Sequence, residues 1–192
     1  MKKYFAVLTV ILMVLTTACD KKGKELKEID EMATQMDSVL KANAVLGVEQ
    51  KVAAEKLIDE YLEFVNQYPN DSLSIEFLMK SAMLYHVMPD YGKELAVLER
   101  LVAQYPESPT APQALAIGAR VSEDNLRNFE QARVYLKQIQ EKYPESPYSV
   151  NIDLQVEYVG DAEGLLEAIM ERTGVKADTV FAPKDSIDAV KK

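Results

Sequence analysis

From residue 25 to residue 67 the apolar positions fall at three- and four-residue steps, and strand-like alternation is absent. Leu26, Ile29, Met32, Met36, Val39 and Leu40 mark one face of a helix over 25–45. Val52, Leu57, Ile58, Tyr61, Leu62 and Val65 mark a second over 48–67, which stops before Tyr68-Pro69. Proline has no N–H to continue a helical ladder and disfavours helical geometry in the residue before it. The same reading predicts helices over 72–87, 91–104, 110–123, 128–142, 147–158 and 162–172. Asp71-Ser72 and Ser108-Pro109-Thr110 open two of them, and Gly160-Asp161 and Gly174 punctuate the last pair.

The stops recur. Tyr68-Pro69, Tyr105-Pro106 and Tyr143-Pro144 are 37 and 38 residues apart. Glu99–Pro109 parallels Lys137–Pro147, and both segments end in Tyr-Pro-Glu-Ser-Pro. Fourteen residues before each Tyr stand Ala54, Tyr91 and Phe129, at or near the start of the same helix in each unit. Self-similarity at a period of 20–50 residues is the signature of a repeat array. Eight helices in four antiparallel hairpins, stacked side by side, would bury one continuous core.

Composition narrows the class. The 192 residues include 22 Lys and Arg against 31 Asp and Glu, a net charge of −9 that argues against a nucleic-acid partner. One Cys and one His exclude a disulfide framework and a zinc site of soft ligands. No metal ligand set and no cofactor motif is present: the chain lacks G-x-G-x-x-G, G-x-S-x-G, H-E-x-x-H and a Walker loop. His86, at the end of an apolar stretch, has no second His or nearby Cys with which to form a catalytic pair, so the reading is non-enzymatic.

The N-terminus carries an address. Lys2 and Lys3 precede Phe5–Leu15, an apolar run broken only by Thr9 and shorter than the roughly 20 residues of a membrane span. Leu15-Thr16-Thr17-Ala18-Cys19 resembles the lipobox of bacterial lipoproteins, which implies a signal peptide over 1–18 and acyl attachment, palmitate included, at Cys19. Residues 19–24, with Lys21, Lys22 and Lys24, read as a lipidated tether. The repeat domain is expected over 25–173. A flexible tail is expected over 174–192, with Val180-Phe181 able to dock on the last helix.

The repeat itself resembles the tetratricopeptide family. With each terminal Pro as the last consensus position, the small second-helix position falls on Ala132 and the bulky ones on Leu136 and Ile139. In earlier units the bulky positions fall on Leu98 and Leu101, and on Tyr61 and Phe64. Ala114, Ile117 and Gly118 match the first-helix pattern. Glu94 and Leu57 stand where the family prefers Ala, and Val156 stands where it prefers Gly. The resemblance implies an all-α, short tetratricopeptide-like solenoid that binds protein partners. A lipobox joined to such repeats is similar to the tetratricopeptide lipoprotein of the outer-membrane β-barrel assembly machinery and to the periplasmic tetratricopeptide protein of the Tol–Pal system. It implies a lipid-anchored scaffold for envelope proteins on the periplasmic face of the outer membrane. The alternative is a groove-type ligand-binding or enzyme-associated periplasmic lipoprotein, including a Tol–Pal-type coordinator.

In that family the inner helices line a concave groove, which makes Gln113, Arg120, Asn151 and Gln155 candidate partner contacts. Gln113 and Arg120 are seven residues apart and share a face, and Asn151 and Gln155 are four apart. Four Asp-Ser/Thr-aliphatic triplets resemble the acceptor of an O-glycosylation system for exported proteins, which makes Ser38, Ser72, Thr179 and Ser186 candidate attachment points. Asp71-Ser72 also reads as an ordinary helix-capping pair.

Overall fold

A computed structural model describes residues 2–42 and 45–174, with side chains from residue 21 onward. Thr179, Ser186 and the Val180-Phe181 pair therefore lie outside the described residues. The described chain is all-α. Its helices are α1 (Lys2–Ala42), α2 (Val48–Gln67), α3 (Ser72–Val87), α4 (Tyr91–Gln104), α5 (Ala111–Arg120), α6 (Phe129–Lys142), α7 (Ile152–Glu157) and α8 (Ala162–Thr173). A π-turn, Val121–Asn125, follows α5, and a 3₁₀ turn, Pro147–Ser149, precedes α7. No helix among the described residues is long and apolar enough to cross a membrane.

Two compact units form, one through Leu101 and one from Val102. In the first, α1 packs on α2 and α2 on α3. Apolar residues at helical spacing fill the interface: Ile29 and Met36 from α1, Ala54, Leu57, Ile58, Tyr61, Phe64 and Val65 from α2, and Phe77, Leu78 and Ala82 from α3 are all buried. The rings of Phe64 and Phe77 meet edge to face at 4.9 Å, and those of Tyr61 and Phe77 stack at 4.7 Å. Burial, with Asp37, Glu76 and Asp30 adding to it, pushes the Tyr61 phenol up to about 12.

In the second unit α5 packs on α6, α6 on α7 and α7 on α8. Ala114, Ala132 and Ile139 are fully buried, with Leu115, Ala119, Tyr135 and Leu136 beside them. Gly118 of α5 faces the Tyr135 ring of α6. A Cβ there would stand 3.2 Å from the Tyr135 ring, which accounts for the small residue.

The joints repeat at atomic detail. After each Tyr-Pro mark the chain makes the same turn, with Asp71, Ser108 and Ser146 each donating a backbone N–H to the carbonyl of Tyr68, Tyr105 and Tyr143 at 3.0 Å. The side chains of those same three residues then accept from the backbone N–H groups of Leu73, Thr110 and Tyr148 at 3.0–3.1 Å. Asp71 and Ser146 cap the helices that follow.

Three departures from the sequence pattern have visible causes. The first helix begins at Lys2 instead of near residue 25 and runs through 19–24, the stretch read as a tether. No proline interrupts it, its apolar residues favour helix, and Gly23 is its only glycine. The helix expected over 147–158 is broken, because Asn151 adopts a left-handed conformation, φ 54°, ahead of α7. The helix expected over 110–123 opens into the π-turn, where Leu126 N–H reaches back five residues to Val121 O at 3.1 Å.

Candidate functional site

The four sequence-predicted groove residues lie on or beside α5 and α7 of the second unit. Gln113 is half-buried in the first turn of α5, and Arg120 is exposed at its C-terminal end. Two helical turns, about 10 Å, separate them along one face. Asn151 is the N-cap of α7 and accepts from Arg172 Nη1 at 3.3 Å, and Gln155 Nε2 donates to Val150 O at 2.8 Å. Asn151 and Gln155 therefore both serve the local structure around the start of α7. The structure puts Gln113 with Arg120 on one helix and Asn151 with Gln155 around another.

Arg172 makes a two-pronged pair with Asp153, at 2.8 and 2.5 Å, which ties the end of α8 to the start of α7. This pairing holds the Asp153 carboxyl down at about 2. Ser38 is exposed near the C-terminal end of α1, donating to Thr34 O at 3.0 Å, and Ser72 is exposed at the first position of α3. Asp71 caps that helix, as the capping reading of the pair requires.

The joint tyrosines reach backwards with their hydroxyls. Tyr68 Oη donates to Glu25 Oε2 at 2.9 Å, a bond that raises the phenol above its ordinary range. Tyr143 Oη donates to Pro106 O at 2.9 Å, in the turn of the preceding repeat. Beside that bond lies an open cleft of about 430 Å³, lined by Pro106, Pro109, Pro112, Lys142 and Tyr143 among others. Burial, with Glu107 nearby, raises the Tyr143 phenol.

Lys21 and Lys22, read as part of a basic tether, are engaged with the body. Lys21 donates to Gln67 Oε1 at 3.1 Å and pairs with Glu25 at 3.3 Å. Lys22 pairs with Asp71, lowering the carboxyl of Asp71, and its ammonium lies 5.5 Å from the Tyr68 ring centre. The side chain of Cys19 is outside the described set.

One arrangement escaped the sequence reading. Glu94 on α4 is 2% exposed, and its carboxylate lies 2.9 Å from His86 Nδ1 in the last turn of α3. The Tyr91 ring meets the imidazole edge-on at 5.7 Å. The available signal was the departure itself, a carboxylate at a packing position where Ala is preferred. Among the described residues, no group of three or more His, Cys, Asp or Glu side chains is arranged to hold a metal ion.

Paired antiparallel helices closed at a 37–38-residue interval, with small residues at the hairpin contact, define a helical-repeat protein. Comparison with known families agrees: residues 119–146, the end of α5 through α6 to the third joint, match the model of the tetratricopeptide repeat. The chain contains a tetratricopeptide repeat, a module that mediates protein–protein contact and typically serves as a non-catalytic scaffold. Neither the curated proteins nor the solved structures include a match.

Proposed function

We propose that this protein is a lipid-anchored, non-catalytic scaffold that binds envelope proteins of a bacterial cell, held at the periplasmic face of the outer membrane, with outer-membrane protein assembly as a setting. The observation that carries the scaffold reading is the tetratricopeptide repeat at 119–146, with its consensus positions Ala132, Leu136 and Ile139 all buried in the hairpin core. On α5 itself Ala111, Ala114, Leu115, Gly118 and Ala119 are buried while Gln113 is half-buried and Arg120 exposed, which supports the face carrying Gln113 and Arg120 as the candidate partner surface. The anchoring reading rests on the sequence: a charged start, a short apolar run and Cys19 after Ala18.

Acyl chains at Cys19 would hold the protein on a bilayer at about 0.8 kcal/mol per buried methylene. Cys19→Ser should leave circular dichroism and thermal unfolding of the body unchanged and move the protein out of the membrane fraction, or leave its signal unprocessed. Wild-type protein from cells fed radiolabelled palmitate should be labelled. An unlabelled wild type would overturn the anchor. Mass spectrometry of the native protein decides the glycosylation reading: hexose-bearing peptides at Ser38, Ser72, Thr179 or Ser186 support it, and bare peptides at all four end it.

A further inference from the structure

The stretch that reads in sequence as a tether is, from Lys21 onward, part of α1 and fastened to the first joint, the turn 68–71 between α2 and α3. Lys22 pairs with Asp71 in that turn. The two side chains are only 35% and 19% exposed, so solvent and salt screen the pair weakly. The Lys22 ammonium also lies 5.5 Å from the centre of the Tyr68 ring and 5.8 Å from that of Phe64. Lys21 donates to Oε1 of Gln67, the last residue of α2, at 3.1 Å, and Glu25 accepts from the Tyr68 hydroxyl at 2.9 Å. Three side chains within five residues of α1 thus grip the end of α2 and the turn that follows, all inside the first unit.

This grip lies directly beside the point of anchoring. Lys22 is three residues past Cys19, a rise of about 4.5 Å along a helix. Charge favours the same end. Residues 20–28 carry four lysines against three acidic residues, in a chain whose net charge is −9. Further along, α1 exposes Asp30, Glu31 and Asp37. Anionic head groups attract the lysine-rich turn of α1 and repel the acidic length after it.

We propose that the first joint is the membrane-facing end of the first unit: acyl chains on Cys19 bring the turn 68–71, with exposed Pro69 and Asn70, against the phospholipid head groups, and α1 leads away from the bilayer. The proposal rests on the anchoring reading above and adds an orientation to it. With the clamp next to the lipid there is no free linker between anchor and body, so the unit stands on the membrane in a fixed attitude.

The test uses the full chain in its native host, with a benzophenone amino acid in place of Asn70 or of exposed Lys41, which is about 33 Å from Cys19 along α1. Irradiated membranes should yield phospholipid adducts at Asn70 at least about tenfold more often than at Lys41, the contrast expected when only one probe reaches the head groups. Equal adducts at the two positions, or none at Asn70, would overturn the proposal. A ten-residue Gly-Ser insertion between Asp20 and Lys21 spans about 17 Å on average. It should leave the protein in the membrane fraction and cut adducts at Asn70 at least about fivefold, since the insert frees the body from the surface. Unchanged adducts count against the orientation. Hydrogen exchange of the purified protein should show the amides of residues 24–28 protected on the order of a hundredfold over an unstructured chain, and unprotected amides there would remove the clamp. Palmitate labelling of the same cells reads the anchor separately. An unlabelled wild type overturns the anchor and the proposal with it, whereas a labelled wild type without adducts at Asn70 overturns the proposal alone.

Discussion

Ser122 sits fully buried in the π-turn, and its hydroxyl has no hydrogen-bond partner among the described residues. Burying an unpaired hydroxyl costs more than a methyl group in its place. Ser122→Ala should therefore keep or raise stability, by about 0.5–1 kcal/mol in urea unfolding, and a loss above 1 kcal/mol would mean the hydroxyl is used. His86 presents the opposite case, as a partner of the buried Glu94 carboxylate. His86→Ala should cost about 1.5–3 kcal/mol, the range for hydrogen bonds to charged groups. Asp153 gives a pH prediction. Its folded value near 2 is below the ordinary 3.8, so the unfolded chain binds more protons between those values. The stabilisation from the Arg172 pair is fully present above about pH 4 and is lost as pH falls through about 2. A carboxyl-carbon NMR titration should place the Asp153 midpoint near 2 in the wild type and return it toward 3.8 in Arg172→Ala.

At the scale of elements, the joint is the recurring device, and Tyr143 is its best-defined member. Tyr143→Ala should cost about 2–4 kcal/mol, in line with large-to-small core losses. Tyr143→Phe should cost only the hydroxyl bond to Pro106, about 0.5–1.5 kcal/mol. Because repeat stability is local plus nearest-neighbour, hydrogen exchange in Tyr143→Ala should rise across residues 128–172, and unchanged protection there would refute the joint. Arg120→Ala, at an exposed position, should stay within about 0.5 kcal/mol of the wild type. Most of these elements were legible in the sequence. The bounds Val48–Gln67, Ser72–Val87 and Tyr91–Gln104 coincide with the periodic runs, because Pro and capping residues end a helix through local chemistry. The break at Asn151 and the π-turn were not legible. A left-handed Asn and a five-residue hydrogen bond leave the apolar period almost intact, so periodicity passes over them.

For the whole molecule, two compact units built from one repeat grammar account for the buried core: the tetratricopeptide positions Tyr61, Phe64, Leu98, Leu101, Ala132, Leu136 and Ile139 are all buried. Pattern carries that far because burial follows helical spacing. The candidate groove was legible only in part. Spacing puts Gln113 and Arg120 on one face, but the side-chain bonds that occupy Asn151 and Gln155 come from Arg172 and from Val150 O, and no periodicity encodes them. The central claim, that the protein binds a protein partner across the α5 face that carries Gln113 and Arg120, is tested most directly by site-specific photocrosslinking in living cells of the native host, with the probe placed in turn at Gln113, at Arg120 and at exposed Lys137 on α6. The account predicts one common protein captured from Gln113 and Arg120 and not from Lys137, with capture from Gln113 falling at least about tenfold in Arg120→Glu, the scale of a lost interface contact. Equal capture from all three positions, or none from Gln113 and Arg120, would contradict it.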